Sequence, residues 1–507
     1  MASPQDVANR VPITASLMLA AIMNTLDSTI ANVALPHMQG SFSASQDQMA
    51  WVLTSYIVAT AVMTPLTGWL AARLGRKLLF HLSIVGFTVT SMLCGSANSL
   101  PEMVLYRFLQ GLCGASMQPL SQMMILDLYP PSMFGQVMAI WGAGILMGPI
   151  LGPVIGGLLT DNLSWRWVFY INLPIGILAF AGISFFLSKD RGGQERPFDY
   201  LGYGALGVFV VTFQLALDRG PTLDWFSSRE ICAEAVIAAI ALYVFVIQTL
   251  TAKQPFFDRR LALDSNFVTS NLFSVAMGVL LFATMALQSP MLQGLYGYTV
   301  FGAGLIMVPR GLGSFASMFV VGRLVGRTDS RLLVAGGFAV CAVAMAQMSY
   351  FDIVMDSGPF VITGLLHGFG LGFIWVPLSA LAFATLAPSM RAEAASVYSL
   401  VRNLGQSVGI SVVEAIYSHQ ASVAHGDIAA GVQPSNPAFA GGLPAAMSPA
   451  TASGIAGLNA EITRQAQMVG YIDVFWLLFV MCLAFIPFVF VLRPPKRAPE
   501  LAEAVIE

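Results

Sequence analysis

About twenty mainly apolar residues are needed to carry a helix across a ~30 Å hydrocarbon layer, and this 507-residue chain supplies such stretches repeatedly. Fourteen candidates begin near residues 13, 51, 78, 102, 137, 167, 199, 230, 266, 301, 332, 358, 394 and 471. The expected fold class is therefore an all-α polytopic membrane protein. Composition agrees: 56% of residues are apolar and 10% charged, against ~25% charged in soluble domains. The net charge of -2 lies in short loops without a basic face, which leaves nucleic acid without an electrostatic footprint.

The chemistry-bearing residues argue against catalysis. Cys94, Cys113, Cys232, Cys341 and Cys482 stand singly in apolar segments and read as small packing residues. The five histidines show no metal-ligand spacing and no phosphate loop occurs. No metal, cofactor or enzymatic activity is expected. The N-terminus runs directly into an apolar segment without a charged leader or small-residue cleavage site, so that first span is expected to remain.

Orientation follows from the Lys and Arg residues. With the N-terminus inside, Arg10, Arg73, Arg76, Lys77, Lys189, Arg191, Arg196, Lys253, Arg259, Arg260, Arg323, Arg327, Arg331, Arg391 and the tail cations Arg493, Lys496 and Arg497 share the inner side. Arg166, Arg219, Arg229 and Arg464 fall outside, and Arg107, Arg310 and Arg402 within spans. Both termini are therefore expected in the cytoplasm.

A faint internal repeat divides the chain. GWLAARLGRKLL (68–79) realigns with GRLVGRTDSRLL (322–333), and Pro119-Leu120-Ser121 with Pro377-Leu378-Ser379. Eight spans separate each pair, so two six-span halves (1–198 and 266–507) with two inserted spans (199–265) are expected. Parallel repeats of this kind belong to alternating-access transporters. The Ala/Gly/Pro/Ser-rich segment 418–470 reads as a long external loop with some helix near its end.

Within this frame Asp27, in LDSTIANVALP, is the costly residue. A carboxylate near the midplane costs on the order of 3 kcal/mol unless it faces the bundle interior, pairs or takes up a proton. Asn24, Ser28 and Asn32 share one helix face beside it, as the wall of a polar cavity would. A proton site and a permanently paired structural carboxylate both fit. Arg107 in YRFLQG keeps its charge and needs a carboxylate, carbonyls or water; snorkelling to the outer interface is the alternative. In GILMGPILGPVIGG, Gly144, Gly148, Gly152 and Gly156 form one side-chain-free stripe, with Pro149 and Pro153 favouring a bend and Gly157 following. The expected role is a close, bendable contact between the halves. Gly68, Arg73, Gly75, Arg76 and Lys77 form a basic loop that largely follows the positive-inside rule, and the repeated glycine adds a second expected role, close helix packing that gates one state. Asn24, Gln118, Gln122, Gln288 and Trp375 are candidate cavity residues, polar or amphipathic within spans. Arg310, Arg402 and Glu414 are further buried ionisable candidates; Asp127 reads as a helix-end carboxylate and His367 as a packing residue.

Together LDSTIANVALP, TGWLAARLGRK, LYRFLQG, the glycine/proline run, PLSQMMILDLYPP, DNLSWRWVFYINLPIG and LDRGPTLDWFSS resemble the motifs of the major facilitator superfamily, specifically its fourteen-span drug:proton antiporters of the EmrB type. The resemblance implies the major facilitator fold, Asp27 as coupling carboxylate, Arg107 as the fourth-span arginine acting on its proton, and Gly148, Pro149, Gly152, Pro153, Gly156 and Gly157 as the antiporter motif. It departs at Ala72, where many members carry an aspartate, which puts a charge latch there in doubt. It further implies export of small amphipathic compounds against protons from a bacterial inner membrane, with an EmrA-like periplasmic adaptor and an outer-membrane channel as partners. A proton-coupled symporter importing an organic acid or sugar is the transport alternative; a membrane-embedded enzyme or receptor is the other class.

Overall fold

The computed structural model describes residues 6, 8–130, 133–188, 197–325, 327–387, 390–433, 444, 447–448 and 451–492. Lys189, Arg191, Arg196 and the tail cations Arg493, Lys496 and Arg497 lie outside these residues. The described chain is helical, with one isolated bridge between Val325 and Thr328. In order the principal helices are α1 (Arg10–Phe42), α2 (Gln46–Met63), α3 (Thr67–Leu74), α4 (Arg76–Ser96), α5 (Leu100–Gly114), α6 (Met117–Leu128), α7 (Phe134–Asn162), α8 (Asn172–Phe186), α9 (Tyr200–Arg219), α10 (Arg229–Thr251), α11 (Ser265–Gly278), α12 (Thr284–Gly294), α13 (Val300–Leu324), α14 (Ser330–Met348), α15 (Gly358–Ala384), α16 (Arg391–Gly431) and α17 (Ala452–Phe488).

Local sequence explains the boundaries. Ser45 and Gln48 close a capping box at the start of α2, and Asp199, Asp264, Thr299 and Asp329 accept hydrogen bonds from the first turns of α9, α11, α13 and α14. Gly75, at φ +85°, makes the corner between α3 and α4 that a side chain would strain. A turn of π-helix over Val279–Ala283 joins α11 to α12.

Among the described residues 12 helices are long and apolar enough to cross a membrane. The two further spans read from the sequence are present as helix: α5 and α6 are interrupted at Ala115-Ser116, and the polar α16 carries Arg402, Gln406 and Glu414. Segment 418–470 has the helix expected near its end and more helix besides. Helix continues to Gly431 and resumes at Ala452, so much of 418–470 is an antiparallel helical hairpin. Tyr417 and Tyr471 pack with ring centroids 4.4 Å apart, Gln420 donates to Asp473 at 3.0 Å, and His425 bonds Asn459 at 3.2 Å. Alanine-rich sequence favours helix once such pairs zip it together.

α7 packs on α1 through one face and on α13 through another, while α16 packs on α11, α17, α6 and α3. α9 lies against α2, joined by Ala61, Leu206, Val210 and Leu400, and α10 lies outside it with Val236, Ile240 and Tyr243 exposed. The repeated glycines have reciprocal neighbours. A methyl group added at Gly68 would lie 3.0 Å from Glu393 Cα, and one at Gly322 would lie 3.2 Å from Ala139 Cβ.

Candidate functional site

The midpoints of α1 and α5 meet where Asp27 and Arg107 are both fully buried. Arg107 Nη1 donates to Asp27 Oδ2 at 2.7 Å. The other oxygen, Oδ1, accepts from Gln110 Nε2 at 3.0 Å and Asn172 Nδ2 at 2.8 Å. Arg107 also donates to Gln110 Oε1 at 2.7 Å and Val52 O at 3.3 Å, and its guanidinium lies 4.2 Å from the Tyr56 ring centroid. Asn172 additionally donates to Ser91 Oγ at 2.9 Å. A buried charge pair persists when its remaining lone pairs are satisfied, and here three donors converge on one carboxylate. Arg107 therefore does not snorkel. Gln110 accompanies it one helical turn on; the sequence does not mark Asn172, Ser91 or Tyr56 beyond the one signal of an asparagine opening an apolar helix.

The glycine stripe of α7 seats α1, which corrects the expectation of a contact between halves. Added methyl groups would lie 2.7 Å from Met18 Cε at Gly144, 2.5 Å from Thr25 Oγ1 at Gly148 and 3.0 Å from Ile30 Cγ1 at Gly156, and would overlap Thr29 Oγ1 at Gly152. Thr29 Oγ1 donates to Gly148 O at 3.1 Å. The stripe thus sets the height of the helix that carries Asp27. Gly157 has open space around it and is not part of the stripe, whereas Pro153 faces Gly304 of α13. The contact across to α13 uses the other face, with Ile150 against Gly311.

A second polar cluster crosses the middle of the protein. Arg402 Nη2 donates to Gln118 Oε1 at 2.5 Å, Gln118 Nε2 to Asn24 Oδ1 at 3.3 Å, and Asn24 Nδ2 to Tyr56 OH at 3.1 Å. The Arg402 guanidinium lies 5.3 Å from the Trp375 ring centroid; Trp375 is 6.4 Å from Trp141, whose Nε1 donates to Ser121 Oγ at 3.0 Å. Three of the expected cavity residues, Asn24, Gln118 and Trp375, therefore meet around Arg402. Gln122 is buried beside Met138, with Nε2 3.8 Å from its sulfur. Gln288 stands apart, accepting from Arg310 Nη2. His367, fully buried near Arg310, has no hydrogen-bond partner for either ring nitrogen.

Glu414 is exposed, not buried. It lies nine residues past Gly405, which packs on Val275, and two and a half helical turns place it on the opposite side.

At the basic end Asp127 does more than terminate α6. Its carboxylate accepts from Arg76 at 2.7 Å and from Arg391 at 3.1 Å, tying the α3–α4 corner to the start of α16. A charge pair is therefore present at this corner, with its carboxylate supplied from α6 instead of position 72. Arg73 stacks 5.1 Å from the Trp69 ring, and Lys77 donates to Ser184 O at 3.1 Å and to Leu187 O. Among the described residues no group of three or more His, Cys, Asp or Glu could hold a metal ion.

The family model described as the Major Facilitator Superfamily matches residues 17–410. The multidrug export protein EmrB of Escherichia coli strain K12 is 33% identical over 503 residues, covering 98% of each chain. The fatty acid resistance protein FarB of Neisseria gonorrhoeae is 34% identical over 496 residues, covering 95% of this chain and 96% of FarB. The crystal structure of the human organic anion transporter MFSD10 superposes with a TM-score of 0.60 at 14% identity, covering 95% of this chain and 100% of that one. Matching motifs, helix order and near full-length similarity lead to one conclusion: the chain belongs to the major facilitator superfamily.

Proposed function

We infer that the protein is a proton-coupled multidrug exporter that moves amphipathic organic compounds out of the cytoplasm by alternating access. The observation that carries this reading is the buried Asp27 carboxylate, held by Arg107, Gln110 and Asn172, on the helix that the antiporter glycines seat. A carboxylate there is tolerated because its partners satisfy it, and it becomes a proton acceptor when a change of state moves those partners away. Substrate enters from the cytoplasm or inner leaflet, proton uptake from outside accompanies its release, and loss of the proton inside resets the cycle. The relatives' names, multidrug export and fatty acid resistance, support the outward direction.

Two six-helix halves, 1–198 and 266–507, rock about this centre, with 199–265 as the inserted pair. The Asp127 bridge to Arg76 and Arg391 is the cytoplasmic latch, with Gly68 letting α16 approach. One proton falling through ~100 mV supplies about 2.3 kcal/mol and each pH unit adds about 1.4 kcal/mol, sufficient for a tenfold substrate gradient. The protein resides in a bacterial inner membrane with both termini cytoplasmic. Its external hairpin, built on the Tyr417–Tyr471 contact, is the surface on which an EmrA-like adaptor docks, continuing to an outer-membrane channel. The test is efflux from proteoliposomes under an imposed proton gradient. Export that collapses with the gradient and with Asp27→Asn supports the reading; gradient-independent export contradicts it.

A further inference from the structure

Three arginines are buried deep in the described spans: Arg107, Arg310 and Arg402. Arg107 is neutralised by Asp27 at 2.7 Å. Arg402, 2% exposed, has only the neutral Gln118 amide as a hydrogen-bond partner, and its Nε and Nη1 have none. A guanidinium does not shed its proton, and leaving one charge without a counter-charge in a low-dielectric interior is strongly unfavourable. A glutamine oxygen and an indole face reduce that cost without cancelling the charge. The groups around it also await partners. Trp375 Nε1 and, one helical turn before Arg402, Ser399 Oγ are buried without a hydrogen-bond partner, while the Trp375 and Trp141 rings supply flat apolar surface.

We propose that Arg402 is an anion anchor for the exported compound, binding a negatively charged head such as a carboxylate or sulfonate while an apolar ring system lies against Trp375 and Trp141. This rests on the export reading above and specifies its substrate class as amphipathic anions. An anionic head supplies the missing counter-charge and accepts from Arg402 Nε or Nη1, forming the charge-assisted bond that the neutral neighbours do not. The anchor also reaches the proton site. Gln118, which holds Arg402, is bonded through Asn24 to Tyr56, whose ring covers the Arg107 guanidinium. A head group that draws Arg402 off Gln118 frees the amide that orients Asn24 and Tyr56 beside the Asp27–Arg107 pair.

The test uses two probes with one apolar body and opposite, permanent charges: 2-naphthalenesulfonate and (2-naphthylmethyl)trimethylammonium. Equilibrium binding of each, radiolabelled, is measured on the purified full chain as wild type, Arg402→Gln and Arg402→Lys. The proposal expects the wild type to bind the sulfonate at least tenfold tighter than the ammonium probe. Arg402→Gln loses at least tenfold in sulfonate affinity while ammonium binding holds or improves, and Arg402→Lys keeps an intermediate affinity; the retained ammonium binding reports a folded site. Sulfonate affinity within twofold of wild type in Arg402→Gln, or a wild-type preference for the ammonium probe, overturns the anchor. Proton-driven transport separates the two claims. Sulfonate binding through Arg402 without gradient-driven movement leaves the anchor standing and the export reading in error. Export of the ammonium probe alone has the reverse meaning.

Discussion

Replacing Gly148 by alanine tests whether the glycine stripe sets the position of Asp27. The new methyl group would lie 2.5 Å from Thr25 Oγ1 and 2.7 Å from the Thr25 carbonyl carbon, whereas carbon atoms rest at about 3.5–4.0 Å. Backbone cannot rotate aside as a long side chain can, so α1 and α7 must part by roughly 1 Å. Overpacking of this kind costs about 1–3 kcal/mol, offset by ~1 kcal/mol of helix propensity, for a net loss of up to about 2 kcal/mol. The displacement reaches the site, because Thr25 precedes Asp27 by two residues and the ion pair is 2.7 Å long. Gly157→Ala is the matched control, since nothing lies within 4 Å of its added methyl and only the propensity gain applies. The assays are the thermal midpoint of detergent-solubilised protein and proton-driven uptake into everted vesicles. Gly148→Ala is expected to lower the midpoint and cut transport several-fold, with Gly157→Ala at or above wild type in both. Equal behaviour of the two variants, or a wild-type Gly148→Ala, refutes the reasoning.

Further outcomes follow from other parts of the structure. Asp127→Asn removes two partly exposed ion pairs worth at most about 1 kcal/mol each, so the midpoint should fall by no more than about 2 kcal/mol equivalent. Labelling of Ser396→Cys by an impermeant maleimide, in a chain freed of its native cysteines, should quicken as the end held by Arg76 and Arg391 opens; an unchanged rate counts against the latch. Asn172→Leu withdraws a donor from Asp27 and from Ser91 and should cost about 1–3 kcal/mol, with transport lost; full activity would remove Asn172 from the site. The Arg331 guanidinium beside Asp329 holds its carboxyl below the ordinary aspartate value. That stabilisation is full above the ordinary range and fades as pH falls through the lowered value. Asp329→Asn should therefore lower the midpoint by less than ~1 kcal/mol equivalent at pH 7, with the difference shrinking in strong acid; a difference that grows on acidification contradicts the assignment.

The helices were legible because apolar length is a one-dimensional property. Predicted starts near 13, 78, 230 and 358 match helices beginning at Arg10, Arg76, Arg229 and Gly358. The apolar run expected near 471 continues a helix that already begins at Ala452, where the alanine-rich stretch supplies the helix expected near the end of 418–470. Asp27 and Arg107 stood out through the cost of burying charge. Asn172 did not, since a neutral amide 145 positions away along the chain carries no such signal. Helical periodicity revealed the glycine stripe but not its neighbour, because repeat spacing defines a face and only packing decides what meets it. Position 72 lacked the expected aspartate, yet Asp127 supplies the charge from another helix, a substitution that no local motif contains. Glu414 misled by sequence position alone: its helix turns it away from the bundle.

The most direct test of the central claim is proton release on adding substrate to detergent-solubilised protein in weak buffer, comparing wild type with Asp27→Asn. The account predicts release from the wild type and none from the variant, because substrate and proton exchange through that one carboxylate. Equal release from both would place coupling on another group and contradict the assignment of Asp27.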